Sequence, residues 1–325
     1  MSLPWPVFGH NQVRDFLGES LRQGKLHHGY LFLGPHGAGK ASVARWLVQS
    51  ATCLSPSEGV ACGACFSCKN IMSGSHPDIS WLDAAVSGGV EEVRKIIGEL
   101  SRSALLGRVR VAVVENASSL TRAAQSIFLK TLEEPHEKKL MVFISGEPLL
   151  PTLLSRMQQV HFRLVSPGAI EQALCDRGET AERAHELAGV AAGRPGVAIA
   201  LASSASWKEY ETRRGAFLSL FLGEGLTFNT FAQEMLGKGL DDAREEWGHF
   251  SEIGLGLLRE MYTLKTGADG GAGESAERHF GALARRAPLS KIGFWAKELL
   301  RSRSYVAGNT DPRFVLENFY LMIHS

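Results

Sequence analysis

The chain has 325 residues, 44% hydrophobic and 21% charged, which is long enough for two or three domains with their own cores. Thirty-five Lys and Arg against 34 Asp and Glu leave a net charge of +1, so no global field draws the chain to nucleic acid or an anionic membrane. The longest apolar runs, such as LMVFI at 140–144, are far shorter than the ~20 residues of a membrane span, and the amino terminus lacks a secretory pattern. A cytoplasmic location is expected, with no membrane partner.

In chain order, FGHNQVRDFLGESLRQG places apolar residues at helical spacing and stops at Gly24. GYLFLG is a short apolar strand running into a glycine loop, and KASVARWLVQSATCL a helix leading to a cysteine-rich insert. DISWLDA reads as a strand, VEEVRKIIGELSRSAL as a helix and RVRVAVVEN as a buried strand. TRAAQSIFLKTLEE reads as a helix closed by Pro135, and KLMVFISG as a further strand. Strand and helix in steady alternation predict an α/β domain with a parallel sheet covered on both faces. After about residue 165 the strands stop. Three short helices follow, with Ser166 and Thr180 placed as caps, and from Trp207 the pattern is helical apart from a glycine-rich loop at 266–275. The expected domains are 1–165, with an insert at about 53–68, then 166–205 and 206–325.

Gly34, Gly39 and Lys40 fit G-x-x-x-x-G-K between a strand and a helix, the context in which backbone N–H groups and a helix N-terminus wrap phosphate. The residue after the lysine ordinarily holds Mg²⁺ with a hydroxyl, and here it is Ala41. Ser42 is turned by roughly 100° along the helix, off the metal side. Glu115, at the end of the core strand, takes the metal-side acidic position. Asn116 stands where a water-activating Glu is needed, and an amide takes no proton. Two losses in one catalytic machine argue against hydrolysis by this chain.

Cys53, Cys62, Cys65 and Cys68 form C-x₈-C-x₂-C-x₂-C. Two tight steps and a closing loop suit a tetrahedral thiolate site, favouring Zn²⁺, with an iron–sulfur cluster as the alternative. His76 reads as an ordinary loop residue and Cys175 as core.

HHGYLFLGPHGAGK, the cysteine cluster, QSIFLKTLEEP and LLPTLLSRMQQVHF occur in this order, and together they resemble the AAA+ subunits of the bacterial DNA polymerase III clamp loader. The resemblance covers residues 8–165 through specific motifs and continues weakly to NTDPRFVLENFYLMI. It implies an AAA+ P-loop domain, a small helical lid and an all-helical collar. The motor (gamma/tau) subunits need a hydroxyl after the loop lysine and an acidic pair on the core strand. The departures here resemble the stationary delta-prime subunit, which as a rule does not hydrolyse ATP, and the length agrees with that reading.

The resemblance implies further roles. Arg156, after Ser155, would act in trans as an arginine finger on a neighbour's ATP, with Met157 where a Cys is usual. The degenerate nucleotide set would be Gly34, Gly37, Gly39, Lys40, Ser42 and Glu115, with Ser145 as sensor, and would take ATP or ADP weakly. Gly196 falls near the position of a missing sensor arginine. The cysteines would hold structural zinc. Expected partners are the motor and delta subunits and, through the complex, the sliding clamp and primer-template DNA. Arg102, Arg108, Arg110 and Arg122 are candidates to face that DNA. The alternatives are an active gamma/tau-like ATPase, and a free-standing zinc and nucleic-acid-binding module.

Overall fold

Five short runs of the chain become one parallel sheet. Gly29–Leu33 (β1), Ile79–Asp83 (β2), Arg110–Glu115 (β3), Lys139–Ser145 (β4) and Gln158–His161 (β5) lie in the order β2-β3-β4-β1-β5. The computed structural model describes residues 9–106, 108–133, 138–222, 232, 240–267, 281, 285, 287–307 and 310–324. Pro135 and nearly all of the glycine-rich loop at 266–275 lie outside them. The chain divides into two compact units, residues 1–177 with 193–197, and residues 178–192 with 198–325.

In the first unit, β1, β3 and β4 are buried almost throughout, as strands covered on both faces must be. Alternate side chains divide between the two covers. Tyr30, Phe32, Val111, Val113, Val142 and Ile144 pack with Val13 and Leu17 of α1 (Asn11–Arg22) and Val43 and Leu47 of α2 (Lys40–Thr52). Leu31, Ala112, Val114, Met141 and Phe143 pack on the other face. Their neighbours are Val93 and Ile96 of α5 (Val90–Leu100) and Phe128 and Leu132 of α6 (Arg122–Glu133). Phe128 meets Phe143 edge-on at 4.9 Å, a favoured aromatic geometry. The cysteine insert contributes α3 (Phe66–Met72), and short helical turns α4 (Ala84–Ser87) and α7 (Pro151–Leu154) follow β2 and β4.

β5 is absent from the sequence reading, which saw LLPTLLSRMQQVHF only as a family signature. Its pattern is polar, with Val160 its buried member, because it is the sheet's edge beyond β1. α8 (Pro167–Cys175) begins at Ser166, whose side chain makes no capping bond; Pro167 opens the helix instead. Cys175, expected in a core, is partly buried.

In the second unit, Thr180 does cap α9 (Ala181–Ala191), accepting from the Arg183 amide at 3.3 Å. α10 (Pro195–Leu201) begins in the first unit. The long helices α11 (Ser204–Leu222), α12 (Leu240–Thr266), α13 (Leu289–Ala307) and α14 (Pro312–His324) enclose a core of Phe217, Trp247, Phe250, Trp295, Leu299, Leu316 and Phe319. Arg213 pairs with Glu246 at 2.6 Å and Arg214 with Glu260 at 3.0 Å, joining α11 to α12. Among the described residues this unit is entirely helical.

A buried polar knot anchors the segment between α5 and β3. The fully buried Asp78 carboxylate accepts from the Leu105 and Leu106 amides at 2.6 and 2.8 Å, and faces Arg110 at 3.7 Å. Arg110 also donates to the carbonyls of Ser103 and Pro77. This corrects the sequence expectation that Arg110 faces DNA: it is buried and bonded to carbonyls inside the fold. Arg102, Arg108 and Arg122 are exposed. Asp78→Ala should destabilise the protein by about 3–5 kcal/mol, because it strands a buried guanidinium and two amides. Chemical denaturation of the variant and wild type will measure this.

Candidate functional site

The phosphate loop runs from the end of β1 to the start of α2. Gly37 and Gly39 have φ of 75° and 98°, a region open to glycine at little cost. At Gly37 a Cβ would also lie 2.7 Å from Val197. The Gly196 amide donates to Gly37 O at 2.8 Å, and a Cβ on Gly196 would sit 2.8 Å from that oxygen. The position expected to lack a sensor arginine is therefore a backbone brace on the loop. His10 adds a second brace through Nε2 to Ala38 O at 3.0 Å. Burial lowers its pKa despite that bond.

Lys40 is buried and folds back on its own loop, with Nζ donating to Gly34 O at 2.5 Å and Pro35 O at 2.7 Å. Burial brings its pKa down to about 8. Among the described residues, the amides of Gly37, Gly39, Lys40 and Ala41 donate to no backbone carbonyl, so this turn and helix start keep free donors for an anion. Ala41 packs against the core beneath, and Ser42 is exposed.

Glu115 ends β3, aligned with Asp83 on β2. Its Oε1 is buried and, among the described residues, unpartnered, so a carboxylate oxygen at the metal-side position is available. Asn116 takes a left-handed conformation and donates from Nδ2 to Asp83 Oδ1 at 2.8 Å. Ser145, at the end of β4, aligns with Leu33 and its carbonyl accepts from the Gly34 amide at 3.2 Å. Its hydroxyl donates to Glu147 O at 2.5 Å, closing the following turn. The residues present suit phosphate. They lack the hydroxyl that usually completes a Mg²⁺ site beside it.

Arg156 lies elsewhere. It follows α7 and precedes β5, so it sits at the edge of the sheet where β1 begins. A Cβ on Gly29 would be 3.9 Å from its carbonyl. The glycine loop is at the other end of that five-residue strand, about 17 Å away at ~3.3 Å per residue. The Arg156 side chain cannot serve the phosphate loop of its own domain. It pairs with Glu133 at 2.7 Å, with side chains 34% and 51% exposed.

Cys53, Cys62, Cys65 and Cys68 bring their sulfurs within 4.8 Å of one another. Cys53 Sγ lies 3.6 Å from Cys62 Sγ and 3.8 Å from Cys65 Sγ. A tetrahedron of 2.3 Å metal–sulfur bonds has edges of about 3.8 Å, so the four thiols fit a metal such as zinc. Burial opposes ionisation of Cys65, but N–H donors from Cys68 and Leu54 with the neighbouring thiols outweigh it and bring that thiol to about 6. Burial and the Cys65 and Cys53 sulfurs push Cys68 up.

His76 is not the ordinary loop residue expected. It is buried, with Nε2 2.9 Å from Ser67 Oγ, and its Nδ1 accepts from the Asp78 amide at 3.1 Å. Ser67 Oγ donates its one proton to Thr52 O at 2.9 Å, so Nε2 carries the proton it shares with Ser67. Thr52 and Ser67 directly precede Cys53 and Cys68, and this chain of bonds ties the two cysteine-bearing segments together. His27 and His28 are also structural: His28 Nε2 meets Leu132 O at 3.0 Å, and His27 Nδ1 meets Gly29 O at 2.7 Å.

A five-stranded parallel sheet with the strand order found here, and a glycine loop leaving its β1 strand for a helix, defines a P-loop domain of the AAA+ class. Residues 9–166 match the family described as DNA polymerase III, delta subunit. The chain is 33% identical over 195 residues to the DNA polymerase III subunit delta' of Bacillus subtilis (strain 168), covering 58% of each. It is 34% identical over 170 residues to subunit tau/gamma of Haemophilus influenzae, covering 52% of this chain and 25% of that protein. To subunit gamma/tau of Mycobacterium bovis it is 36% identical over 172 residues, covering 52% and 30%. The chain thus spans about a quarter to a third of the tau/gamma relatives and just over half of the delta' relative. Over about half of its length it is similar to DNA polymerase III delta, delta' and tau/gamma subunits.

The depressed pKa of Lys40 has a signed consequence. Between about pH 8 and the ordinary lysine value of 10.5, the unfolded chain holds a proton that the folded chain has released. Stability of the wild type relative to Lys40→Met should therefore rise with pH across that window. Urea denaturation of both proteins at pH 7, 9 and 10.5 will show it.

Proposed function

We propose that this chain is a stationary, delta-prime-like subunit of a DNA polymerase III clamp loader, which supplies Arg156 to the ATP held by a neighbouring motor subunit. The observation that carries the reading is the separation within one domain. The phosphate loop keeps Gly34, Gly37, Gly39 and Lys40 but has Ala41 and Asn116 where hydrolysis needs a hydroxyl and a base. Arg156 stands about 17 Å away at the opposite end of β1, where its target has to come from another chain. A guanidinium there would stabilise the charge that builds on a transferring phosphoryl group. Residues 166–205 would act as the lid and 206–325 as the collar that joins motor and delta subunits. The assembled complex would open a ring-shaped clamp and set it on primed DNA in the cytoplasm. ATP or ADP would bind weakly at the degenerate loop, without turnover.

We further infer that Cys53, Cys62, Cys65 and Cys68 hold Zn²⁺ as a closed structural site. One zinc per chain should be released when a thiol reagent modifies four cysteines. A chromophoric chelator will count the metal, and less than one equivalent retained after purification in zinc would sink this reading.

One observation favours the second reading, an active gamma/tau-like ATPase. The Glu115 oxygen without a partner leaves a carboxylate free to bind a metal. The two readings separate in one assay, steady-state ATP hydrolysis by motor and delta subunits with clamp and primed DNA. Under the first reading, added chain stimulates turnover, Arg156→Ala lowers it by at least about tenfold, and the chain alone is inactive. ATP turnover by the isolated chain, abolished in Lys40→Ala, would establish the second.

A further inference from the structure

The Arg156 side chain is held from three directions. Nη1 donates to Thr152 O at 2.9 Å and to Ser155 Oγ at 3.0 Å, which uses both of its N–H groups. Nη2 donates to Glu133 Oε1 at 2.7 Å. A guanidinium carries five N–H donors, so Nε–H and one N–H of Nη2 remain. Among the described residues neither has a partner. Thr152 and Ser155 belong to the same short turn as Arg156. Glu133 is the distant anchor, 23 residues earlier at the end of α6.

We propose that Glu133 is the positioning residue for Arg156. Its carboxylate fixes the guanidinium in one pose and leaves two donors for an anion presented by another molecule, the γ-phosphate of a neighbour's ATP. The inference rests on the reading of Arg156 as an arginine in trans.

The same ion pair could instead be a latch that withholds the arginine, and its strength decides between the two. Both side chains are substantially exposed, and ion pairs this exposed shift a population by about fivefold at most. A triphosphate with bound Mg²⁺ offers more charge than one carboxylate, so such a pair cannot lock the arginine away. It can restrict a long side chain that would otherwise sample many rotamers, and an Arg fork held in advance loses less freedom on binding. Glu133 therefore raises the fraction of encounters in which the fork meets phosphate in register.

The test uses the whole complex, reconstituted from motor and delta subunits with this chain, together with clamp, primed DNA and ATP. Turnover, KM and assembly by sedimentation are measured for wild type, Glu133→Ala, Glu133→Gln, Arg156→Ala and the double variant Glu133→Ala/Arg156→Ala. Glu133→Ala should lower kcat about three- to fivefold with KM and assembly unchanged, the signature of an interaction made in the transition state. Glu133→Gln keeps an oxygen acceptor and should stay within about twofold of wild type. The double variant should be no worse than Arg156→Ala, because Glu133 acts only through that residue.

Wild-type kcat in Glu133→Ala beside an impaired Arg156→Ala overturns the positioning role and leaves the trans arginine standing. Raised kcat in Glu133→Ala means a latch. Loss of assembly in Glu133→Ala makes the residue structural. An Arg156→Ala complex as active as wild type removes the trans reading and this inference with it.

Discussion

The parallel pairing of β1 with β4 on one side and β5 on the other is the constraint from which the functional geometry follows. β1 is five residues long and buried along most of its length. Its register against β4, with Leu33 beside Ser145, sets where the glycine loop begins. Its register against β5, with Tyr30 beside Gln158, sets where the chain carrying Arg156 enters the sheet. A slip of one residue would exchange Tyr30 and Phe32 with Leu31 across the two faces, so the hydrophobic pattern holds the register. One short strand thus keeps the glycine loop and the arginine at its opposite ends, a fixed distance apart.

Much of this was legible in the sequence, and what was not has a physical reason. The four longer strands and the helices between them announce themselves through buried apolar runs and helical spacing. β5 does not, since Gln158, Gln159 and His161 are exposed and a four-residue edge strand carries no usable period. The glycine loop is readable because the chemistry needs glycines at fixed offsets between a strand and a helix. The cysteine set is readable because the ligand spacing is local. Partners chosen by the fold leave no such trace. Nothing in the sequence joins Glu133 to Arg156, His76 to Ser67 or Asp78 to the Leu105 amide, because each pair meets only once distant segments pack. Arg110 misled for the same reason, since a basic residue amid other arginines reads as surface until its burial is seen.

The two departures from a hydrolytic site have local structural uses here. Ala41 packs against the core side of α2, where a hydroxyl would need a partner. Asn116 adopts a left-handed conformation, which Asn tolerates better than Glu, and spends its amide on Asp83. Both positions are part of the scaffold. Restoring a hydroxyl and a carboxylate would therefore have to undo packing and a turn as well as add chemistry.

The helix α2 joins two features that were described separately. It starts at Lys40 on the phosphate loop and ends at Thr52, whose carbonyl takes the Ser67 proton beside the cysteine cluster. Thirteen residues make a strut of roughly 20 Å. A thiol cluster that closes on a metal grips the far end of this strut and stops its last turn from fraying, and the near end is seated in the sheet by Val43 and Leu47. The cysteine insert thus works as a clamp on a tie-rod. A metal held there would leave no open position for chemistry, yet it would stiffen the mount of the glycine loop.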